Sequence, residues 1–218
     1  MKKSFLKKIF VASLMSLFIL QAFYFAVEPT LSDAATVNDS VVVTLNVTSG
    51  VSISDGANST MLPSIGITSD RAVGSSSWTV ATNSVTGYTL AVKASTTPAL
   101  RNGSTDNFAD YTESPSGTPD TWSVGSGDKE FGYSAYGANV ATGTWGTHTD
   151  CGNTGTGVVA TGSRYRGFST SDVTIASLSG VTPVAGITTN ICFAAQQNNV
   201  YAASGTYTAT ITATATAA

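Results

Sequence analysis

Residues 76–95 read SSWTVATNSVTGYTLAVKAS, and the alternation in this stretch decides the fold class. Trp78 and Val80 alternate with Thr79 and Ala81, and Tyr88, Leu90, Val92 and Ala94 alternate with Thr89, Ala91 and Lys93. A period of two is the side-chain period of a β-strand. Between the two halves, NSVTG (83–87) supplies turn-forming residues, and Gly87 is free to take a positive φ. The stretch therefore predicts two strands joined as a hairpin.

The same period recurs on both sides. In SVVVTLNVTSGVSI (40–53) Val41, Val43, Leu45, Val47, Val51 and Ile53 share one parity, which predicts a long strand with a break at Gly50. The segment 205–218, GTYTATITATATAA, sets Tyr207, Ala209, Ile211 and Ala213 against Thr206, Thr208, Thr210 and Thr212. β-Branched threonine suits a pleated strand, and its hydroxyl tolerates water. Residues 121–124, 130–136, 164–169 and 173–178 are further strand candidates, and 65–67 is a weak one. Two segments rich in glycine or proline, 96–120 and 137–162, predict excursions across the surface. The sum is an all-β chain: a single antiparallel β-sandwich, Greek-key or jelly-roll-like, with two long surface excursions.

Residues 1–34 have a different character. Lys2, Lys3, Lys7 and Lys8 precede an apolar run over 9–27, and Ser32-Asp33-Ala34 offers small residues for cleavage after Ala34. This is the pattern of a secretory signal peptide. The same run, about 19 residues, is also long enough for an uncleaved membrane anchor. With no cysteine directly after the run, and no sorting motif or second span, surface attachment of the mature chain is expected to be non-covalent. Residues 35–218 are expected to form one secreted domain without membrane insertion. The chain carries 10 Lys and Arg against 13 Asp and Glu, a net charge of −3, so it lacks the basic footprint that nucleic acid or anionic lipid requires.

Only two cysteines occur, Cys151 and Cys192. In an oxidising compartment an even pair predicts a disulfide, here closing a loop of about 40 residues. The alternatives are two buried thiols or a metal pair, for which further ligands are lacking. His148, the single histidine, lies near Cys151, but a Cys-His nucleophile requires a free thiolate. No G-x-S-x-G occurs, and Glu113, Glu130, Asp110 and Asp128 lie where carboxylates ordinarily solvate loops. Asp106, Asp110 and Glu113 are candidate calcium ligands, though without the spacing of a dedicated loop. Trp122 and Trp145, close to loops, are the candidate platform for stacking on a sugar, whereas Trp78 sits on the apolar parity of its strand.

The pattern W-x-V-x-T-N-x-x-x-G-Y-x-L over 78–90, with G-T-Y-T-A-T-I-T over 205–212, resembles secreted β-sandwich surface proteins of small-genome bacteria. More distantly it is similar to WxL-type cell-wall-associated domains, whose last strand is alike. The resemblance implies secretion, a β-sandwich and a surface role, and it carries over no catalytic residue.

These readings converge on a structural or interaction protein of the bacterial cell envelope, secreted and displayed or assembled at the surface, with neither catalytic activity nor cofactor. The competing reading is a carbohydrate-binding module or adhesin acting through Trp122 and Trp145. After Asp172 the chain has no charged side chain. Flat strands without charge or proline invite edge pairing. The terminal strand is therefore expected either to lie inside a sheet or to be completed by another copy, and 40–48 is the other segment fit for such exchange.

Overall fold

The computed structural model describes residues 2–26, 40–54, 56–103 and 106–218. The chain divides into two compact units, Met1–Asn46 and Val47–Ala218. The first contains helix α1 (Lys2–Ala26), of which Lys7–Tyr24 has a mean hydropathy of 1.4, apolar enough to cross a membrane. A signal sequence has the same length and composition. The expected cleavage site at 32–34 lies outside the described residues.

The second unit is built almost wholly of strands, in two sheets. The larger contains β1 (Val51–Ile53), β2 (Arg71–Thr82), β4 (Leu100–Asn102), β5 (Asp106–Asp110), β6 (Lys129–Gly137), β7 (Arg166–Gly167) and β9 (Ile187–Gln197), in the order β1-β2-β9-β6-β5-β4 with β7 beside β6. The smaller contains β3 (Tyr88–Ala94), β8 (Val173–Leu178) and β10 (Ile211–Ala217), in the order β10-β3-β8. A short helix, α2 (Thr142–Trp145), interrupts the long connection after β6. Pairing is antiparallel except between β5 and β6, which run parallel with Ala109 opposite Glu130. The expectation of a purely antiparallel fold is corrected there.

The stretch 76–95 forms two strands that do not pair. β2 bonds to β1 and β9, whereas β3 bonds to β10 and β8. The turn between them is an arch from one sheet to the other, not a hairpin. Trp78 and Val80 consequently face the same core as Tyr88, Leu90 and Val92, each side from its own sheet. Gly87 makes the arch possible: its φ is 94°, and a Cβ there would lie 1.8 Å from the Leu178 carbonyl oxygen. A period of two identifies a strand on a half-buried surface but says nothing about its partner.

β9 (ITTNICFAAQQ) is the centre of the larger sheet, registered along its length with β2 on one side and β6 on the other. Both faces of this sheet are covered. Ile191, Phe193 and Ala195 face the core shared with the smaller sheet, and Ala194 joins Val73, Tyr111, Trp122, Val124 and Tyr165 on the opposite face. The second face is closed by chain expected to wander over the surface. Gly132 on β6 is needed there, because a Cβ would lie 2.8 Å from Tyr111 Cβ and 3.0 Å from Trp122 Cζ3. The excursion 96–120 also contributes β4 and β5 with buried Phe108, and the excursion 137–162 buries Trp145 and Cys151. Residues 121–124 keep their alternation, Trp122 and Val124 inward, without forming a strand.

The long strand expected over 40–53 is reduced to Val51–Ile53. Residues 40–50 belong to no helix or strand. Their sequence is competent for pairing, but no strand among the described residues pairs with them.

Candidate functional site

Cys192 projects from the centre of β9 and is joined to Cys151 by a disulfide with Cα atoms 5.1 Å apart. This fixes the long β6–β7 connection to the larger sheet and removes the thiolate a Cys-His nucleophile would need. His148 is buried beside it, its Nε2 3.2 Å from Ser134 Oγ and its ring edge-on to Tyr136. Burial holds its pKa below the usual histidine value, so the ring is neutral at pH 7. Ser134 is fully buried, and His148 Nδ1 has no hydrogen-bond partner where a triad would place a carboxylate. The pair is an interior contact, not a nucleophile and base open to substrate.

Neither candidate tryptophan presents a free face. Trp122 is 7% exposed and Trp145 2% exposed. Trp122 stacks on Tyr111 with ring centroids 4.6 Å apart, meets Tyr165 edge-on, and donates from Nε1 to Gln196 Oε1 at 2.7 Å. Trp145 packs beside Tyr133 in the shared core. Proximity to loops placed both rings correctly in sequence but not in depth, since these loops fold onto the sheet and carry their aromatic residues inward.

The three candidate calcium ligands are turned toward different partners. Asp106 pairs with Lys129 and accepts from the Tyr207 hydroxyl (2.5 Å) and the Ala203 amide (2.8 Å). The Lys129 ammonium, followed by these donors, holds its carboxyl well below the usual range. Asp110 accepts from the Ala99 amide at 2.9 Å, and burial pushes its pKa up. Glu113 accepts from the Gly167 amide at 3.0 Å and lies 3.4 Å from Arg166 Nε. Each carboxylate fastens one chain segment to another. Among the described residues no three His, Cys, Asp or Glu side chains are grouped to hold a metal ion.

What the second unit does expose is backbone. β10 lies at the end of its sheet; among the described residues it pairs with β3 alone, and β1 approaches it from the facing sheet without strand pairing. Ser95 N–H donates to the Thr210 carbonyl and Ala218 N–H to that of Gly87. By antiparallel alternation the even-numbered residues of β10 bond to β3, and the N–H and C=O groups of Ile211, Ala213, Ala215 and Ala217 point away. The side chains of Ile211, Ala213 and Ala215 pack against the core yet remain half-buried. The other sheet ends are better protected. β1 and β4 have three residues each, and β8 is bulged against β3 and donates from the Ser177 amide to the Asn139 carbonyl.

Beside β1 the chain is anchored by Asn83, the first residue of the NSVTG turn. Its Oδ1 accepts from the Gly50 amide at 2.7 Å, and its Nδ2 donates to the Thr48 carbonyl at 2.9 Å. A shallow groove of about 630 Å³ runs alongside, lined by 50–52, 81–83 and 181–184, none of which carries a titratable side chain. On the N-terminal side of this anchor, Val41, Val42, Val43, Leu45 and Val47 are all at least 76% exposed.

Comparison with known proteins gives no match: no family model fits the chain, and no curated protein or solved structure is significantly similar to it.

Proposed function

We propose that this chain is an exported structural protein of the bacterial cell envelope, whose secreted part is a single β-sandwich acting through contact rather than catalysis. The observation that carries the reading is the edge of β10: seven uncharged residues, paired on one side only, with half-covered apolar side chains. The polar groups that could have formed a reactive centre are spent on internal fastening, as the partners of Asp106, Glu113 and His148 illustrate. An apolar N-terminal helix that begins with lysines and a disulfide in the following chain both suit export to an oxidising compartment.

Expression of the full chain in a bacterium, followed by fractionation, mass measurement and alkylation, tests this. The expected product is at the surface or in the medium, shortened by cleavage near Ala34, with Cys151 and Cys192 resistant to alkylation until reduced. A full-length cytosolic product with two reactive thiols would overturn the reading.

A further inference from the structure

Two segments of this chain have matching chemistry and unpaired backbone: among the described residues 40–48 pairs with no strand, and β10 pairs on one side only. Residues 40–48, SVVVTLNVT, contain no charge and no proline, and alternate Val41, Val43, Leu45 and Val47 with residues that are mostly polar. β10, ITATATA, is equally uncharged and alternates Ile211, Ala213, Ala215 and Ala217 with threonines. Valine and leucine at 76–88% exposure are large apolar groups left in water, and the outward backbone of β10 is a row of unmade hydrogen bonds.

We propose that residues 40–48 of one copy pair as an added strand along the free edge of β10 in a second copy. The proposal rests on the envelope reading above and specifies how the protein acts there. At roughly 3.3 Å per residue, nine residues reach roughly 30 Å, enough to follow all of β10, which spans roughly 23 Å. Main-chain hydrogen bonds to Ile211, Ala213, Ala215 and Ala217 supply attraction. The alternate large side chains of the arm extend the apolar face that β10 leaves half-covered with alanines. Small residues on the acceptor and larger ones on the donor make the two complementary in size.

The occupant is a second copy because the chain itself supplies a donor of the required length, parity and neutrality. Neither segment carries a charge that would repel the other, and Asn83 fixes the point at which the arm leaves β1. Each copy offers one arm and one edge on different segments. The contact is therefore heterologous, and unless the subunits close into a ring its repetition builds a linear chain.

Two independent lesions and their mixture provide the test. Ala213→Pro removes an outward-facing N–H and places a ring on the free side of an edge strand, where proline does not disturb the ladder to β3. Val43→Lys with Leu45→Lys charges an arm that makes no contribution to the core. Each exported protein is purified without reductant, checked for its disulfide and melting temperature, and examined by light scattering and negative-stain microscopy over a hundredfold concentration range. Wild type is expected to grow into linear oligomers, and each variant alone to keep the mass of one chain. A mixture of the variants retains one good arm and one good edge, so it is expected to stop at dimers.

Should Ala213→Pro fail to fold, Ala215→Pro serves in its place, and the arm variant still decides alone. Wild type that stays monomeric at the surface would overturn this inference while leaving the envelope reading standing. A protein that assembles equally well with the charged arm would overturn it as well. A double variant, Thr44→Cys with Thr214→Cys, whose monomers crosslink within one chain would show that the arm closes on its own edge, again contradicting the proposal.

Discussion

β9 and β10 are both uncharged strands, yet one is surrounded and the other is half finished. β9 has a long partner on each side, a packed layer over each face and a disulfide at its centre. β10 has one strand partner among the described residues, and its apolar side chains are only half-buried. The difference is one of neighbours, not of strand chemistry. Buried side chains enclose β9 on both faces, whereas β10 has, among the described residues, one backbone edge without a strand partner.

The contrast predicts a gradient of mutational cost. The largest effect is expected from replacing Cys151 and Cys192 together by serine, which releases a loop between residues 41 apart in sequence and should cost about 4 kcal/mol in chemical denaturation. A cost below about 1 kcal/mol would mean that the loop is held by its packing alone. Leu90→Ala, at a fully buried position on β3, should cost about 3 kcal/mol. Gly87→Ala forces a side chain into the Leu178 carbonyl at positive φ and should cost about 2 kcal/mol, read as a lowered denaturation midpoint. Ile211→Ala, at the half-covered edge, should cost only about 1 kcal/mol in the dilute protein, because less surface is lost from the core. A cost equal to that of Leu90→Ala would show that the edge is already closed.

A smaller, pH-dependent effect separates β10's approach from the rest. Asp106 binds Tyr207 and Ala203, just upstream of β10, and its folded pKa is depressed chiefly by Lys129. A depressed carboxylate contributes stability above its unfolded pKa, about 4, and that contribution is lost as pH falls below it. Wild type should therefore exceed Asp106→Asn in melting temperature at pH 7, with the gap narrowing steadily below about pH 4. A gap that widens with acid would contradict the assignment.

Much of this architecture is legible in the amino-acid sequence. The alternation of Tyr88, Leu90, Val92 and Ala94 places β3 correctly, residues 173–178 are β8 as expected, and the cysteine pair reads as a disulfide. The arch is not legible there because alternation is local, whereas the choice between hairpin and arch depends on which strands compete for β2, and β9 is remote in sequence. β9 is hidden in the sequence for a related reason. Covered on both faces, its residues 191–195 form an unbroken apolar run with no polar side to reveal a strand period. Trp122 and Trp145 were expected at the surface because loop composition signals irregular backbone, not depth, and these loops cover a second sheet face. The edge of β10 was legible as a possibility from its lack of charge, but its position at the end of a sheet was not.

Amide hydrogen exchange along β10 tests the central claim most directly. In dilute protein the even-numbered amides of Thr212, Thr214 and Thr216 should be protected by β3, while those of Ile211, Ala213, Ala215 and Ala217 exchange freely. On concentration the odd-numbered set should become protected together with amides in 40–48. Odd-numbered amides that are already protected in the monomer, or that stay unprotected in the assembled protein, would contradict an open edge completed by another copy.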